Sequence, residues 1–326
     1  MTGRAVVTGG AGFIGSHVCR ALVDDGWEVV AVDNFDPFYD RRIKEQGLTG
    51  LVSRPGFTLL EADIRRREAM ERACRGADIL VHLAARAGVR PSIVDPLEYA
   101  SVNVEGTVSA LEACRRGGVR RVIFGSSSSV YGDDTPVPFR EDAAAVRPVS
   151  PYAATKRAGE LLCETYRHLY GLRIAMLRFF TVYGPRQRPD LAIHRFTRLL
   201  AEGRPIQQFG DGSSERDYTH VDDIVQGVLG AVRWTREAAP ACEAFNLGES
   251  ATVRLDRLIR LIAQALGTTP RIEIHPWQPG DVQRTCADVS RARRHLGYDP
   301  TMSIESGIPQ FVSWYKAYGY ESFSTP

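Results

Sequence analysis

Short runs of apolar residues alternate along the first half of the chain with segments whose apolar residues recur at helical spacing. The run "RAVVT" is followed by a glycine-rich turn, a helical segment from Ser16 to Asp25 and an apolar run from Glu28 to Val32. Further apolar runs, "DILVHLAA", "RRVIFGSS" and "RIAMLRFF", alternate with helical segments at 66–75, 99–116 and 152–170. Uninterrupted apolar runs are typical of strands buried on both faces, so this alternation predicts an α/β chain with a parallel sheet covered by helices.

The composition of the sequence changes after residue 180, where glycine and proline become frequent in "YGPRQRPD", "EGRPIQQFGDGSS" and "HPWQPGD". Such long loops predict a second, smaller α/β domain over residues 181–326, next to a sheet domain over residues 1–180. The segment "YTHVDDIVQGVLGAVRW" has the periodicity of a helix, and we expect the chain to return to the first domain around residues 218–246.

The balance of charge and the cysteine pattern narrow the class of protein. The chain carries 41 basic and 39 acidic residues, and its net charge of +2 gives no electrostatic reason to expect nucleic acid or a membrane surface as a partner. Six scattered cysteines without a CxxC pair, and an N-terminus without a secretory leader, predict a reducing cytoplasm. No apolar run is long enough to cross a bilayer, and the seven histidines form no HExxH motif, so no metal site is expected.

A glycine pattern follows the first predicted strand. Gly9, Gly12 and Gly15 form GxxGxxG, which alone can be only a tight turn, but between a strand and a helix it suits a pyrophosphate at the helix N-terminus. Asp33 ends the second strand, where its carboxylate can accept hydrogen bonds from both adenosine ribose hydroxyls and would repel a 2′-phosphate. The sequence therefore predicts NAD rather than NADP, with Asp63 either accepting from the adenine amino group or capping a helix.

Tyr152 and Lys156 are four residues apart on a predicted helix, so they lie on one helical face. An ordinary tyrosine has a pKa of about 10, and a neighbouring ammonium with a cationic nicotinamide ring would lower this pKa toward that of a useful base. The stretch "FGSSSSVYGD" at 124–133 ends a buried strand. Because ligands of doubly wound sheets bind beyond the carboxyl ends of the strands, we interpret its serines as hydroxyls that face a substrate rather than as a polar turn.

Together these motifs resemble those of extended short-chain dehydrogenase/reductases, in the branch of nucleotide-sugar epimerases, dehydratases and decarboxylases. The resemblance runs nearly end to end and includes "TGGAGFIG", "VDNF", "SSSSVYG", "SPYAATK", "RFFTVYGP" and "RDYTHVDDI". Within that branch, "HLAARAGVRPS" and "RFFTVYGPRQRPDLAIHRFT" are most similar to UDP-glucuronate 4-epimerases. The resemblance implies a Rossmann doubly wound sheet, a smaller C-terminal domain that binds a UDP-sugar, and an NAD that is tightly bound and regenerated in each turnover.

The resemblance also implies a role for individual residues. Tyr152 would remove the proton of the sugar 4-hydroxyl, and Lys156 would tune this tyrosine and hold the nicotinamide ribose. Ser127, with Ser128 beside it, would hydrogen-bond to O4. The implied cofactor-binding residues are Gly9, Gly12, Phe13, Ile14, Gly15, Asp33, Asn34, Asp63, Ile64, Leu83, Ala84, Ala85, Asn103, Ser126, Tyr152, Lys156 and Phe179. The implied substrate-binding residues are Arg90, Ser127, Ser128, Thr181, Arg186, Arg216, Asp281 and Arg284, with Arg216 and Arg284 at the diphosphate.

The serine row also separates the reactions of this branch. The related dehydratases carry a Thr-Asp-Glu trio before VYG, and the related decarboxylases carry a Ser-Glu pair there. This chain has Ser128 and Ser129 and no carboxylate in the row. Hydroxyls, a tyrosine and a lysine can transfer a hydride and a proton, so we expect reversible oxidation at C4 that interconverts UDP-glucuronate and UDP-galacturonate through a 4-keto intermediate. Since this intermediate is a β-keto acid, which readily loses CO2, we hypothesise that Ser127, Ser128 and Thr181 hold its carboxylate out of line with the carbonyl π system.

Three other functions stay open. The same chemistry on a neutral sugar would make the chain a UDP-glucose 4-epimerase, since a few loop residues decide the sugar. A UDP-glucuronate decarboxylase is disfavoured by Ser129 where glutamate is expected, and a non-catalytic sensor by the presence of both Tyr152 and Lys156. Relatives typically dimerise by packing two helices from each subunit, which implies a homodimer through residues 99–116 and 152–170 unless the apolar faces of these helices are buried within the monomer.

Overall fold

The computed structural model describes residues 2–143, 147–236, 239, 241–277 and 283–318 of the 326-residue chain. Its strands are β1 (Gly3–Thr8), β2 (Trp27–Asp33), β3 (Phe57–Glu61), β4 (Ile79–His82), β5 (Arg121–Ser127), β6 (Arg173–Phe179), β7 (Thr181–Tyr183), β8 (Ile206–Phe209), β9 (Glu215–Arg216), β10 (Tyr218–His220), β11 (Cys242–Leu247), β12 (Val253–Arg254) and β13 (Ile272–His275). Its α-helices are α1 (Phe13–Asp24), α2 (Arg41–Leu48), α3 (Arg67–Cys74), α4 (Val89–Val94), α5 (Pro96–Ala100), α6 (Gly106–Gly117), α7 (Pro151–Tyr170), α8 (Ala192–Ala201), α9 (Val221–Trp234), α10 (Leu255–Leu266), α11 (Ser290–Leu296) and α12 (Ile304–Tyr318).

Seven strands form one parallel sheet in the order β11-β6-β5-β4-β1-β2-β3. The chain enters the sheet in its middle at β1 and winds outward to β3, then crosses back to β4 and winds toward the opposite edge. Reversal of the winding opens a crevice between the strand ends, here between β1 and β4. The predicted fold class, a doubly wound parallel sheet covered by helices, is confirmed.

Two apolar cores cover the two faces of the sheet, because successive residues of a strand point to opposite sides. Val7 of β1 packs in a core with α1, α9 and α11, whereas its neighbour Val6 packs in a core with α3, α6 and α7. Both side chains are fully buried. The strands are apolar at consecutive positions because each of them meets a layer of helices on both faces.

The chain comes back to the sheet after the short strand β10. Residues Cys242–Leu247 of β11 pair in parallel with β6, and α9 packs against α1. Helices α8, α10 and α12 enclose a third core around Leu258 and Ile308. No helix within the described ranges is both long and apolar enough to span a membrane. The division into domains at residue 180, with a return around residues 218–246, stays a prediction.

Some helices differ from the sequence prediction in their bounds or were not predicted. α1 begins at Phe13 rather than Ser16, because Gly12 at the end of the glycine turn is its N-cap. The single helix expected at 99–116 consists of α5, a π-helical turn at Ser101–Glu105 and α6. The sequence pattern did not predict α2, because this helix is short and largely polar.

Gly159 marks a close approach between α7 and the sheet. A Cβ atom at this position would lie 2.3 Å from Cζ of Phe124, whose ring is buried on β5. The variant Gly159→Ala should therefore lose about 1–3 kcal/mol of unfolding free energy, because overpacking outweighs a gain in helix propensity of about 1 kcal/mol. Urea unfolding followed by circular dichroism measures the loss.

Gly47→Ala is the matched control for this prediction. Gly47 also lies within a helix, α2, but the atom nearest to its Cβ position is 3.5 Å away, which is an ordinary van der Waals distance. This variant should be neutral or slightly more stable than the wild type. An equal loss of stability in both variants would contradict the packing explanation.

Candidate active site

A cavity of about 470 Å³ lies at the carboxyl ends of the central strands. The turn after β1 and the ends of β2, β4, β5 and β6 form its walls together with the start of α7. The predicted cofactor-binding residues that line it are Gly9, Gly12, Phe13, Ile14, Gly15, Asp33, Asn34, Asp63, Ile64, Leu83, Ala84, Ala85, Ser126, Tyr152, Lys156 and Phe179. The predicted substrate-binding residues that line it are Ser127, Ser128 and Thr181. The fold thus gathers at one edge of the sheet residues that are far apart in the sequence.

The glycine turn lies against the start of α1 without space for side chains. Gly9 has a φ of +68°, in the left-handed region that favours glycine, and its N–H donates to Val32 O at 2.7 Å. A Cβ atom on Gly15 would lie 2.0 Å from Gly9 O. Gly12 is the N-cap of α1 and has no side chain that could accept from the first backbone N–H groups of the helix. These N–H groups therefore stay available to a ligand at the end of α1 that borders the cavity. The turn is therefore a close-fitting cradle of backbone at a helix N-terminus.

Each of the three carboxylates that line the cavity has a cation beside it. The pairs are Asp33 with Lys44 at 3.4 Å, Asp36 with Arg86 at 3.2 Å, and Asp63 with Arg65 at 2.7 Å. The Asp33–Lys44 pair is buried at the end of β2, and Asp33 also accepts from the backbone N–H groups of Ala11 and Phe35. Within the described ranges, no group of three or more His, Cys, Asp and Glu residues could hold a metal ion.

Asp63 does not cap a helix. α3 begins at Arg67 with Arg66 as its N-cap, whereas the Asp63 carboxylate accepts hydrogen bonds from Arg65 and from the side-chain amide of Asn34. These bonds, chiefly the one from Arg65, hold the pKa of Asp63 below its ordinary value. An ionised carboxylate therefore faces the cavity beside Asn34.

Tyr152 and Lys156 both enter the cavity from the first two turns of α7. The helix begins at an N-cap, Ser150, whose hydroxyl accepts from Ala153 N–H at 3.1 Å. Lys156 is buried, and its Nζ donates to Gly125 O at 2.7 Å. Burial lowers the pKa of Lys156 to about 8. The two residues therefore lie on one helical face, as their spacing predicts.

The electrostatic surroundings of Tyr152 act in opposite directions. Burial raises the pKa of Tyr152 above its ordinary value, while the hydrogen bond with Ser127 and the charge of Arg188 lower it. Its position in the first turn of α7 also favours the phenolate, because a helix N-terminus carries a partial positive charge. Burial is the largest of these effects, so the pKa of Tyr152 lies above its ordinary value, and the lowering by Lys156 that the sequence predicts is not seen.

The hydroxyls of the serine row diverge instead of forming one surface. Ser126 donates to Glu160 at 2.7 Å, and Ser127 donates to the hydroxyl of Ser129 at 3.1 Å. Ser128 begins a 3₁₀ turn that ends the strand. Ser127, Ser128 and Ser129 line the cavity, and the hydroxyl of Ser126 is engaged by α7.

Residues 5–248 match the NAD dependent epimerase/dehydratase family. This chain belongs to that family. A UDP-glucuronate 4-epimerase of Thermodesulfobacterium geofontis is 39% identical over 317 residues, which cover 96% of this chain and 96% of that protein. The structure of the UDP-glucuronic acid 4-epimerase from Bacillus cereus with UDP-glucuronic acid and NAD is 34% identical, with a TM-score of 0.91, and covers 96% of this chain and 99% of that chain. The UDP-glucose 4-epimerase of Thermotoga maritima with UDP-glucose is 32% identical, with a TM-score of 0.86, and covers 96% and 99%.

In this member of the epimerase/dehydratase family, Arg188 is a cavity residue that sequence reasoning missed. Its guanidinium donates to Asp190 at 2.7 Å, and its Cζ lies 5.5 Å from the centre of the Phe38 ring. Its charge acts on Tyr152. Sequence reasoning also missed Lys44. The chain has only three lysines, and this rarity could have pointed to Lys44 as a candidate site residue.

Arg186, a predicted substrate contact two residues before Arg188, does not line the cavity. Its backbone has a φ of +67°, and its Cδ lies 3.8 Å from the position that a Cβ on Gly47 of α2 would take. The left-handed turn at Arg186 therefore directs this side chain toward α2, while Arg188 faces the cavity.

The other predicted substrate-binding arginines also lie outside the cavity walls. Arg90, on α4, has its Cζ 5.5 Å from the centre of the Phe209 ring on β8. Arg216 and Arg284 are neighbours, because Glu215 forms a β-bridge with Arg284 and accepts from its guanidinium at 3.0 Å. The structure thus places both arginines beside Glu215, and neither lines the cavity that contains Tyr152.

Asn103 supports the cavity without lining it. It lies on the π-helical turn, where its side chain accepts from Arg86 N–H at 2.8 Å and donates to Arg86 O at 2.9 Å and to Thr155 Oγ1 at 2.9 Å. Because Arg86 is part of the wall, Asn103 ties that wall to α7. The remaining predicted residue, Asp281, falls outside the described residues.

The variant Gly15→Ala should lose its NAD. The added Cβ would lie 2.0 Å from Gly9 O and 2.8 Å from Gly9 C, so the backbone of the turn must move away from the position that cradles a pyrophosphate. NAD released by acid from the purified protein, quantified per chain, measures the effect, and we expect at least about a tenfold drop in occupancy.

Ser16→Ala is the control for Gly15→Ala. Ser16 follows Gly15 on α1, but its hydroxyl donates to Phe13 O and it does not line the cavity. Its NAD content should equal that of the wild type. Full NAD content in Gly15→Ala would show that the turn does not hold the cofactor.

Proposed function

We propose that this chain is an NAD-dependent UDP-sugar 4-epimerase, an isomerase that interconverts UDP-glucuronate and UDP-galacturonate through a 4-keto intermediate. The observation that carries the proposal is that Tyr152, Lys156 and Ser127 line the same cavity as the glycine turn. The lining near these residues consists of hydroxyls and an arginine, and the carboxylates that line the cavity elsewhere are each paired with a cation. Such a set can exchange a proton with a sugar hydroxyl, while an elimination would need a further acid and base.

The glycine turn and the end of β2 fit NAD. Without a side chain at Gly15, the N-terminus of α1 can approach a pyrophosphate, whose charge the helix end favours. The carboxylate of Asp33 lines the cavity at the position where ribose hydroxyls are bound in such folds. When bound, NAD supplies a reversible acceptor for the hydrogen of C4 and its electron pair, so that no net oxidation results.

Tyr152 is the proposed base for the sugar 4-hydroxyl. Its phenol and the hydroxyl of Ser127 line the same cavity, so a sugar O4 placed between them can contact both. Lys156 supplies a positive charge on the same face of α7. With a pKa lowered by burial only to about 8, Lys156 remains mostly an ammonium at neutral pH.

Two features favour a uronate over a neutral sugar. Arg188 lies within electrostatic reach of Tyr152, and a guanidinium is well suited to a carboxylate. Thr181 and Ser128 add hydroxyls to the same cavity. The relative from Bacillus cereus was solved with UDP-glucuronic acid, and the one from Thermotoga maritima with UDP-glucose, so the neutral sugar is the alternative that the first assay must separate.

The first test is to incubate the purified chain with UDP-glucuronate and no added cofactor. UDP-galacturonate should form without release of CO2, because the carboxylate is held out of line with the carbonyl of the 4-keto intermediate. Separation of the nucleotide sugars by anion-exchange chromatography and trapping of CO2 measure both products.

Other products would overturn parts of the proposal. CO2 with a UDP-pentose would mean that the chain is a decarboxylase and that hydroxyls do not protect the keto acid. Turnover of UDP-glucose but not of UDP-glucuronate would keep the mechanism and change the substrate. Failure to turn over either sugar, in protein that contains NAD, would leave the non-catalytic sensor as the better explanation.

Thr181→Ala should release more CO2 per turnover than the wild type. The hydroxyl of Thr181 lines the cavity, and its loss would let the carboxylate rotate toward alignment with the carbonyl. The backbone of Thr181 pairs with β10, so the substitution leaves the strand in place. We expect about a tenfold higher ratio of UDP-pentose to UDP-galacturonate, which corresponds to about 1.4 kcal/mol of lost discrimination.

Thr181→Ser is the matched control, because it keeps the hydroxyl. Its product ratio should stay close to that of the wild type. If Thr181→Ala released no more CO2 than Thr181→Ser, Thr181 would have no part in protecting the intermediate.

We also propose a cytoplasmic homodimer that pairs α6 and α7 of each subunit. Leu161 and Leu169 leave an apolar strip of α7 exposed, at 53% and 59% of their surface. Leu111 of α6 is buried within the monomer and does not add to this strip. A single monomer peak in sedimentation velocity would rule out the dimer.

The near-neutral charge of +2 favours neither a membrane surface nor nucleic acid as a partner.

A further inference from the structure

Glu160 is a fully buried carboxylate one helical turn beyond Lys156, and none of the roles above uses it. Its Oε1 accepts from Ser126 Oγ at 2.7 Å and from Arg178 Nε at 2.8 Å. Its Oε2 accepts from Arg178 Nη2 at 3.0 Å and from Arg157 Nη1 at 2.8 Å. Burial raises the pKa of Glu160, but the hydrogen bonds and charge of Arg178 outweigh burial and hold this pKa below its ordinary value.

Three consecutive residues at the end of β5 each meet a different turn of α7. Residues four apart on α7 lie on one face, and this face is turned toward the strand. The three pairs are Gly125 with Lys156, Ser126 with Glu160, and Ser127 with Tyr152. We call this set of contacts the β5–α7 clamp. Of the α7 residues in the clamp, Glu160 is the one that does not line the cavity.

Arg178 extends the clamp to the neighbouring strand. It lies on β6, is 3% exposed, and its Cζ is 4.8 Å from the centre of the Tyr131 ring. Tyr131 ends the 3₁₀ turn that begins at Ser128, within the serine row. The buried Glu160–Arg178 pair therefore joins α7, β6 and the turn after β5, which are the elements that surround Tyr152.

Glu160 also acts on Lys156 through its charge. Burial lowers the pKa of Lys156, and its interactions with Cys163, the larger of the two, and with Glu160 oppose this shift. Three other groups near Lys156 carry no charge at neutral pH. They are the ring of Phe124 on β5 at 5.4 Å, His82 on β4, whose pKa burial lowers to about 3, and Cys163 on α7, whose thiol pKa burial raises. Loss of the Glu160 carboxylate should therefore make the ammonium of Lys156 easier to deprotonate.

We propose that Glu160 is a positioning residue, which fixes the end of β5 against α7 through Ser126 and places a negative charge one helical turn from Lys156. It acts through these two residues and touches neither sugar nor cofactor. The inference rests on the proposed 4-epimerase where turnover is measured, so its test includes a measurement that needs no turnover.

The kinetic test uses Glu160→Gln in the full, NAD-bound chain with the UDP-sugar that the wild type turns over. The kcat should fall about tenfold or more with a KM change below about threefold, since Glu160 does not contact the substrate. The alkaline limb of kcat should move to lower pH, because the ammonium of Lys156 is lost at lower pH. Arg157→Gln removes the more exposed donor to Glu160 and leaves the Ser126 contact, so its kcat and pH profile should match the wild type.

The second measurement follows the ionisation of lysines directly by NMR with ¹³Cε-labelled lysine. The chain has only three lysines, so the spectrum contains three signals, and Lys156→Arg assigns one of them. In Glu160→Gln the pKa of Lys156 should fall by about half a unit or more. Lys44 and Lys316 should titrate as in the wild type, which makes them internal controls.

Glu160→Gln leaves Arg178 buried without its partner, which can prevent folding. The double variant Glu160→Gln/Arg178→Gln removes both charges, whose effects on the pKa of Lys156 oppose each other, so it is the second form for the kinetic test alone. Wild-type kcat in a folded variant, or an unchanged pKa of Lys156 in folded Glu160→Gln, would overturn the proposal. If the pKa of Lys156 falls in Glu160→Gln but the wild type turns over no UDP-sugar, the role of the Glu160 charge is supported and the proposed epimerase reaction is rejected.

Discussion

The close packing of α7 on β5 is the contact on which the candidate active site depends. Gly159 faces the ring of Phe124 at a distance that excludes a Cβ atom, so the helix lies nearer to the strand than a side chain would permit. At this distance Lys156 Nζ reaches Gly125 O at 2.7 Å, and Tyr152 reaches Ser127. A small displacement of the helix would break these contacts, since hydrogen bonds weaken steeply with distance and angle.

Buried ion pairs hold the two ends of the cavity. Asp33 with Lys44 lies at the end of β2, and Glu160 with Arg178 lies behind the serine row. Burial of an unpaired charge would cost several kcal/mol, whereas in each of these pairs the charges compensate each other and additional hydrogen bonds fix the carboxylate. The polar groups of the site are therefore oriented before a ligand arrives, which reduces the reorganisation that a reaction requires.

The sequence was sufficient for the sheet, the glycine turn and the Tyr152–Lys156 pair, because each rests on a short-range pattern. Apolar runs reflect burial on both faces, GxxGxxG reflects a turn without side chains, and a spacing of four reflects one helical face. Arg186 shows the limit of such patterns. Its motif contains two arginines, and sequence reasoning selected the one that packs on α2 in place of Arg188.

The sequence by itself determined which elements form, their parallel arrangement and the edge of the sheet at which the site lies. Only the tertiary structure decided which polar side chains face the cavity. The hydroxyl of Ser126 is directed to Glu160, which lies 34 residues later, and Arg188 faces Tyr152 because the backbone takes a left-handed turn at Arg186. The physical reason is that periodicity and local turns depend on neighbouring residues, whereas the direction of a buried polar group depends on the partner that the fold brings to it.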